Sequence, residues 1–596
     1  MGCELGTRVG YTVRFDDCSN SGTKLKYVTD GTLLQELLAD RLLSDYDIVV
    51  LDEAHERSLR TDMLMGFLKS IQRTRKDLVE KKLHFPVDEN GASVGFPARP
   101  LKILIMSATL DTGRFSEFFD NAKIVYIQGR QHPVSIFYTQ KPQEDFVASA
   151  VATSLQIHKN YPPGDVLVFL PGQEDIESVH TQLIPYAEDL LPSMTQMKIC
   201  PLYAKLPPAQ QQHVFAKAPP HTRKFVLATN VAETSITIPG VAYVIDCGIV
   251  KVKRFHSMSG VEELRPEPIS QSSANQRSGR AGRESPGKCW RLYTKAKFDS
   301  FTKTTEPEIK RSSLSFVVLH LLASGVTDVF QFDFMDPPET DGMRAALIQL
   351  HLLGAIDTAG KLTPLGRQLA KLPLNPPQAR CLVASFENDC ASDMIDVLAL
   401  LEHCDTLLIN TAATRDQAQE ARRRFLHRDG DHMTLLNILR SYDSLLNDSR
   451  SEIHVRGEVK TWCRDHFINH KSMSGVLKSR QQLRERCKRI GLDKLAGKQT
   501  KQNDDGQGDS ERILTSLLSG MPNNTAIQQQ DRSYVNIVTR TQIKIHPSSS
   551  LHGKGVEAFT YHELVHTSAT YARTCSWIKP SWIKDKIPGL NNHLSH

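Results

Sequence analysis

The run Ile48-Val49-Val50-Leu51 is followed at once by Asp52-Glu53-Ala54-His55. An apolar, β-branched run ending in adjacent carboxylates places both acids at the carboxyl edge of a parallel sheet, where ligands of α/β folds sit. There one carboxylate can hold Mg2+ while its neighbour orients or deprotonates a water for attack on a phosphate. An acidic pair at a strand end is by itself more often a polar turn than a catalytic site, so the reading depends on its neighbours. A zinc protease is excluded, because Glu56 and Arg57 follow His55 with no second histidine at the His-Glu-x-x-His spacing.

Three further segments offer related chemistry. Ser107-Ala108-Thr109 ends a second apolar run with small hydroxyl residues suited to sensing the state of the carboxylates. Gln276-Arg277-Ser278-Gly279-Arg280-Ala281-Gly282-Arg283 repeats arginine at every third position, so that on a helix the three lie near one face. Arginines aimed across an interdomain cleft would stabilise charge on a transferring γ-phosphoryl group, and the alternative is a basic patch for nucleic-acid phosphates. Thr229-Asn230-Val231-Ala232-Glu233-Thr234-Ser235 offers hydroxyl and amide groups of the kind that contact phosphate and sugar without reading bases.

The elements that must position these residues are legible as periodicity. Short apolar runs at 47–53, 101–109, 165–172, 225–230 and 241–246 read as buried parallel strands. Between them lie amphipathic stripes such as Leu33 to Leu43, and strand alternating with helix means an α/β sheet covered on both faces. The segment 82–100 reads as a surface loop, and the polar stretch 498–512 as a linker. After Pro307 the texture is helical, and the alternation in 533–547 predicts a β-hairpin in a small terminal β domain. Arg422-Arg423-Arg424 reads as a solvated helix face.

Composition excludes several classes. The 596 residues are 40% apolar and 23% charged, which fits packed cores and not a disordered chain. No run approaches the ~20 apolar residues of a membrane span. Lys plus Arg against Asp plus Glu gives 73 − 67 = +6, a mild excess that permits nucleic-acid binding without requiring it. Eleven scattered cysteines without a Cys-x-x-Cys pair read as reduced, mostly buried thiols of a cytosolic or nuclear protein.

The order of the motifs TDG (29–31), DEAH (52–55), SAT (107–109), TNVAETS (229–235) and QRSGRAGR (276–283) resembles the DEAH-box family of superfamily 2 RNA helicases. LTPLGR at 362–367, HRDGDHMTLLN at 427–437, WCRDH at 462–466 and IHPSS at 545–549 extend the resemblance over nearly the whole chain. It implies an α/β fold of tandem RecA-like domains, the first incomplete (1–138) and the second at 139–308. A winged helix (309–376), a helical ratchet-like domain (377–490) and an OB-fold (491–596) would follow. It implies ATP and Mg2+ as cofactors, with Asp52 on the metal and Glu53 orienting water. His55, Ser107 and Thr109 would couple nucleotide state to motion. Gln276 would help place the water, Arg280 and Arg283 would be arginine fingers, and Phe215 would stack on adenine. Arg14, Thr29 and Thr234 would contact RNA backbone, and the loop 250–262 would be a strand-separating hairpin. A glycine-rich G-patch activator and a nuclear or nucleolar location, with the cytoplasm as alternative, are further expectations, as is a role in ribosome biogenesis or splicing.

Two departures stand out. Where the family carries an acidic nucleotide contact after TNVAETS, this chain has Pro239. No Gly-x-x-x-x-Gly-Lys-Ser/Thr occurs anywhere in the 596 residues, so the amides and lysine that cradle β- and γ-phosphates are missing. The expectation is a helicase sequence started too far downstream, inactive in this form, with apolar faces and an edge exposed beside the DEAH strand. The alternative is a non-catalytic form that holds RNA or partners.

Overall fold

Alternate residues of the strand Asp165–Phe169 bury into opposite cores: Val166 and Val168 into one, Leu167 and Phe169 into the other. That is why this run reads as continuously apolar. The computed structural model describes residues 2–587 apart from 14–15, 86–96, 109–111, 128, 130–131, 204–210, 212–213, 235, 258–259, 410–413, 449–451, 493–506 and 567–568. The chain divides into two units, one of Met1–Ala108, Phe255–Glu263 and Pro307–His596, the other of Thr109–Arg254 and Leu264–Glu306.

The second unit is built on six parallel strands, β6 (Val134–Tyr138), β7 (Asp165–Phe169), β8 (Gln196–Leu202), β9 (Thr222–Ala228), β10 (Val241–Asp246) and β13 (Gly287–Arg291), in the order β6-β13-β10-β7-β9-β8. The helices Phe146–Asn160 and Gln173–Glu188 cover one face through Ala150, Ile157, Ile176 and Leu183. One boundary differs from the sequence reading: β6, assigned there to the end of the first domain, pairs with β13 and completes the second sheet. Strands β11 (Ile249–His256) and β12 (Val261–Pro268) form a two-stranded sheet over the expected hairpin.

In the first unit, β1 (Val9–Val13), β2 (Asp16–Cys18) and β3 (Leu25–Val28) form one sheet. The pair β4 (Ile48–Leu51) and β5 (Lys102–Ile105) forms another, parallel one. Helix α1 (Asp30–Ala39) buries Leu33, Leu34 and Leu37, and stops short of the stripe's end at Leu43. The Asp40 carboxylate takes the amides of Leu42 (3.0 Å) and Ser44 (2.5 Å), turning the chain so that Leu43, at φ 48°, is buried from a loop. Helix α2 (Leu59–Glu80) follows the DEAH turn. The strands β4 and β5 are covered on one face only: Val49 and Leu51 are buried, whereas Ile48, Val50 and Leu104 are exposed. The reading of these two runs as buried on both faces is corrected on that point, and the bare apolar face is the one expected beside the DEAH strand.

The rest of the first unit is helical until the barrel. Helices Ser315–Ala323, Thr340–Leu352 and Pro364–Ala370 occupy the stretch expected to be a winged helix; Thr363 caps the last, accepting the Gly366 amide at 3.0 Å with Pro364 at the first helical position. A helical array runs from Pro376–Glu387 to His470–Arg489. The Arg422 to Arg424 run is split: Arg422 is buried, its Nε donating to the Ala418 carbonyl, and only Arg423 and Arg424 face water. A helix Gln507–Gly520 starts inside the stretch expected to be a linker, and Gly520 lets it lie against Pro376–Glu387, since a Cβ there would stand 2.3 Å from Cys381 Sγ. Five strands then close a barrel, β14 (Thr525–Gln528), β15 (Tyr534–Asn536), β16 (Gln542–Ile545), β18 (Thr570–Trp577) and β17 (Ala558–His566), with β15 and β16 as the expected hairpin. All eleven cysteines are free thiols and eight are buried. Among the described residues no helix is long and apolar enough to cross a membrane.

Candidate functional site

The DEAH turn begins where β4 ends. Asp52 is exposed, and its Oδ1 accepts the Glu53 amide at 2.9 Å. Glu53 and Arg57 both adopt left-handed backbone (φ 49° and 50°) and bracket a single 3-10 turn, Ala54–Glu56. Two such residues in a five-residue span is a strained arrangement of the kind that clusters at functional sites. The Ala54 amide donates to the Met106 carbonyl at 3.0 Å, tying the turn to the end of β5. His55 completes the tie: its Nδ1 accepts the Ala108 amide at 3.3 Å and lies 3.4 Å from Glu53 Oε2. Thus the DEAH turn is hydrogen-bonded to the segment that follows β5, at Met106 and Ala108, with Ser107 between them. Thr109 lies outside the described residues, as does Arg14. Thr29 is the N-cap of α1, its Oγ1 accepting the Thr32 amide at 3.4 Å.

Among the described residues no group of three or more His, Cys, Asp or Glu side chains could cage a metal. One exposed carboxylate at a strand end, Asp52, fits the sparse protein contribution that Mg2+ takes when substrate phosphates and water complete its shell. The phosphate-holding part of a nucleotide site is not matched, for want of the glycine-lysine loop.

The second group of residues belongs to the other unit. The helix Gln271–Gly279 is capped by Ser270, whose Oγ accepts the Ser273 amide at 3.0 Å, and a 3-10 turn Arg280–Gly282 continues it. The three arginines do not share one exposed face. Arg277 turns inward, 1% exposed, donating from Nε to Glu233 (2.9 Å) and from Nη1 to Asp246 (2.8 Å), with its guanidinium over Phe169. Burial works against its charge, but the Asp246 and Glu233 carboxylates outweigh that and hold it more firmly protonated than usual. Arg280 is clamped to the TNVAETS loop through the carbonyls of Ile236 (2.8 Å), Thr234 (2.9 Å) and Glu233. Arg283 is exposed and donates to Thr237 Oγ1. Gln276 is half-buried on the same helix, and Phe215 is an exposed aromatic, 40% accessible. Next to Pro239, the Gly240 amide donates to Glu284 Oε2 at 3.1 Å.

Sequence reasoning missed the carboxylates that organise both groups. Asp246 ends β10 and also receives the Tyr293 hydroxyl at 2.7 Å; Asp62 and Asp336 receive Arg57. The only signal was the charge itself, an acid closing an apolar strand in VAYVID and an arginine following DEAHE.

Family models match in four places: the helicase conserved C-terminal domain at 149–285, the winged-helix helicase associated domain at 346–374, the ratchet-like helicase associated domain at 375–435 and the oligonucleotide/oligosaccharide-binding fold at 513–586. The chain is similar to ATP-dependent RNA helicase DHX33 of Homo sapiens, 41% identical over 589 residues, covering 98% of this chain and 78% of the relative. The Mus musculus protein of the same name is 40% identical, with 98% and 79% covered. Pre-mRNA-splicing factor ATP-dependent RNA helicase DEAH10 of Arabidopsis thaliana is 38% identical over 608 residues, with 98% and 83% covered.

Proposed function

Because this chain belongs to the DEAH-box family of RNA helicases, we propose that it remodels RNA, gripping the backbone with little sequence preference and taking its energy from ATP and Mg2+. The observation that carries the reading is the DEAH turn, an exposed Asp52 beside a left-handed Glu53 that His55 ties to the SAT strand end. In this reading Asp52 contributes the protein ligand to Mg2+, and Glu53 orients the attacking water. Gln276 assists with the water, Arg280 and Arg283 act as arginine fingers, and Phe215 stacks on adenine. Thr29, Thr234 and Arg14 contact RNA. A G-patch protein as activator and a nuclear or nucleolar setting belong to the same proposal, as does work in ribosome biogenesis or splicing.

The missing Gly-x-x-x-x-Gly-Lys-Ser/Thr favours a second reading, in which these 596 residues hold RNA or a partner without turning over ATP. One assay separates the two. The chain alone is expected to bind single-stranded RNA in a salt-dependent way and to show no RNA-stimulated ATP hydrolysis. A form extended with a glycine-lysine-threonine loop is expected to hydrolyse ATP, and Glu53→Gln in it to lower turnover about 100-fold or more. Turnover by the 596-residue chain would overturn the account of the cradle. Full turnover by the variant would remove Glu53 from its role, and no turnover by the extended form would leave the non-catalytic reading.

A further inference from the structure

The first turn of α2 holds a knot of buried charge outside the roles assigned above. Arg57, the last residue of the DEAH turn, is 7% exposed; its Nε and Nη2 reach Asp62 Oδ1 (2.7 Å) and Oδ2 (3.0 Å) as a fork. The same Nη2 donates to Asp336 Oδ2 at 2.6 Å, on the segment before the winged-helix element Thr340–Leu352. Lys310 Nζ stands 3.8 Å from the other Asp336 oxygen. The backbone is bolted to the same region: the Glu308 amide donates to the Arg57 carbonyl at 3.1 Å, and the Leu59 amide to Glu308 Oε2 at 2.8 Å.

The other side of the knot reaches the TDG loop. Asp30 follows Thr29, and its Oδ2 accepts the Thr61 hydroxyl at 2.5 Å and the Ser58 hydroxyl at 3.5 Å. Ser58 is the N-cap of α2, accepting the Thr61 amide at 3.2 Å. Polar contacts therefore join Asp30 to Thr61 and Ser58, the peptide bond joins Ser58 to Arg57, and the Arg57 side chain goes on to Asp336. Burying one guanidinium between two carboxylates adds little net stability, since desolvation offsets the attraction. Burial pushes the Asp62 carboxyl above its usual range despite Arg57. What such a knot does supply is one fixed geometry for the groups it joins.

We propose that Arg57 and Thr61 are positioning residues through which RNA seated at Thr29 sets the conformation of the Asp52–Arg57 turn, with the winged-helix region as the fixed reference. The proposal rests on Thr29 being an RNA contact. Asp30 moves with the backbone of Thr29, Thr61 moves with Asp30, and the α2 N-terminus carries Arg57. Left-handed Glu53 and Arg57 bracket the turn, a strained backbone that holds its shape only through the contacts around it.

Amide hydrogen exchange of the 596-residue chain, with and without single-stranded oligouridylate RNA, tests this without any nucleotide turnover. In the native chain RNA is expected to change exchange of the Ala54, Glu56 and Arg57 amides about fivefold or more. Thr61→Val, which removes the shorter of the two hydroxyl contacts to Asp30, is expected to keep the RNA dissociation constant within about threefold and to abolish that change. Asp336→Asn is expected to speed exchange of the turn before RNA is added. A purely structural role would lower the melting temperature of Thr61→Val and leave the RNA response intact, which would overturn the proposal. So would an unchanged turn in native protein that binds RNA. If the native chain binds no RNA, the reading of Thr29 falls first, and the two failures are distinct.

Discussion

Arg277 and Arg283 stand six positions apart in one motif and have opposite physical situations. Arg277 is enclosed with the Glu233 and Asp246 carboxylates, whereas Arg283 lies at the surface with one hydroxyl partner. Removing the guanidinium that pairs with the buried Asp246 and the mostly enclosed Glu233 strands their charges, so Arg277→Ala is expected to cost about 3–5 kcal/mol and lower the melting temperature by several degrees. Arg283→Ala is expected to stay within about 0.5 kcal/mol. Circular-dichroism melts of both variants check this, and equal melting temperatures would mean that Arg277 is wetter than the packing indicates. The period of three was legible in the sequence. The inward turn of Arg277 was not, because it depends on acids contributed from the TNVAETS loop and the end of β10.

At the scale of elements, the β4–β5 pair leaves one of its two faces bare. Ile48, Val50, Leu104 and Met106 are 55%, 47%, 53% and 40% exposed, so one apolar face of a two-stranded sheet meets water. Apolar faces of this kind drive association. The chain is expected to bind an apolar dye and to self-associate on light scattering as concentration rises. Val50→Lys with Leu104→Glu is expected to suppress both while leaving far-ultraviolet circular dichroism unchanged; association undiminished in that variant would place the sticky surface elsewhere. The strands were readable as apolar runs. That one face would stay bare followed from the missing cradle motif, whereas the halt of α1 at Ala39 came from the local capture of two amides by Asp40, which periodicity does not register.

At the scale of the whole molecule, the helical array is pinned to the barrel at one turn. Asp431 accepts Ser549 Oγ (2.6 Å), the Ser550 amide (2.8 Å) and the Cys575 amide (2.8 Å), while His432 Nδ1 pairs with Ser576 Oγ at 2.9 Å. Gly430, at φ 119°, is required there, since a Cβ would stand 2.4 Å from the Cys575 carbonyl. Burial, with His562 nearby, lowers His432 to about 3, and burial lowers His320 in the winged-helix region to about 4. Both are neutral in the fold and take up protons near pH 6.5 when unfolded. Their stability contribution is therefore complete above about pH 6.5 and is lost as pH falls toward 4, on the order of 2 kcal/mol each by pH 5. Asp396, raised to about 6 by burial in spite of the nearby Arg480 and Arg484, acts in the opposite sense between pH 6 and 4 and offsets part of the loss. The melting temperature is expected to fall between pH 7 and 5, and His432→Gln to flatten that fall; an unchanged slope would show that His432 titrates normally. By itself the sequence determined the family, the order of domains, the strands and the motif residues, because these rest on local periodicity and on short spacings. Only the tertiary structure decided which charges are buried together: Arg57 with Asp62 and Asp336, Arg277 with Glu233 and Asp246, and Asp431 with the barrel. The physical reason is that a buried ion needs partners supplied by whichever element packs against it, and those partners lie up to 279 positions away, as from Arg57 to Asp336.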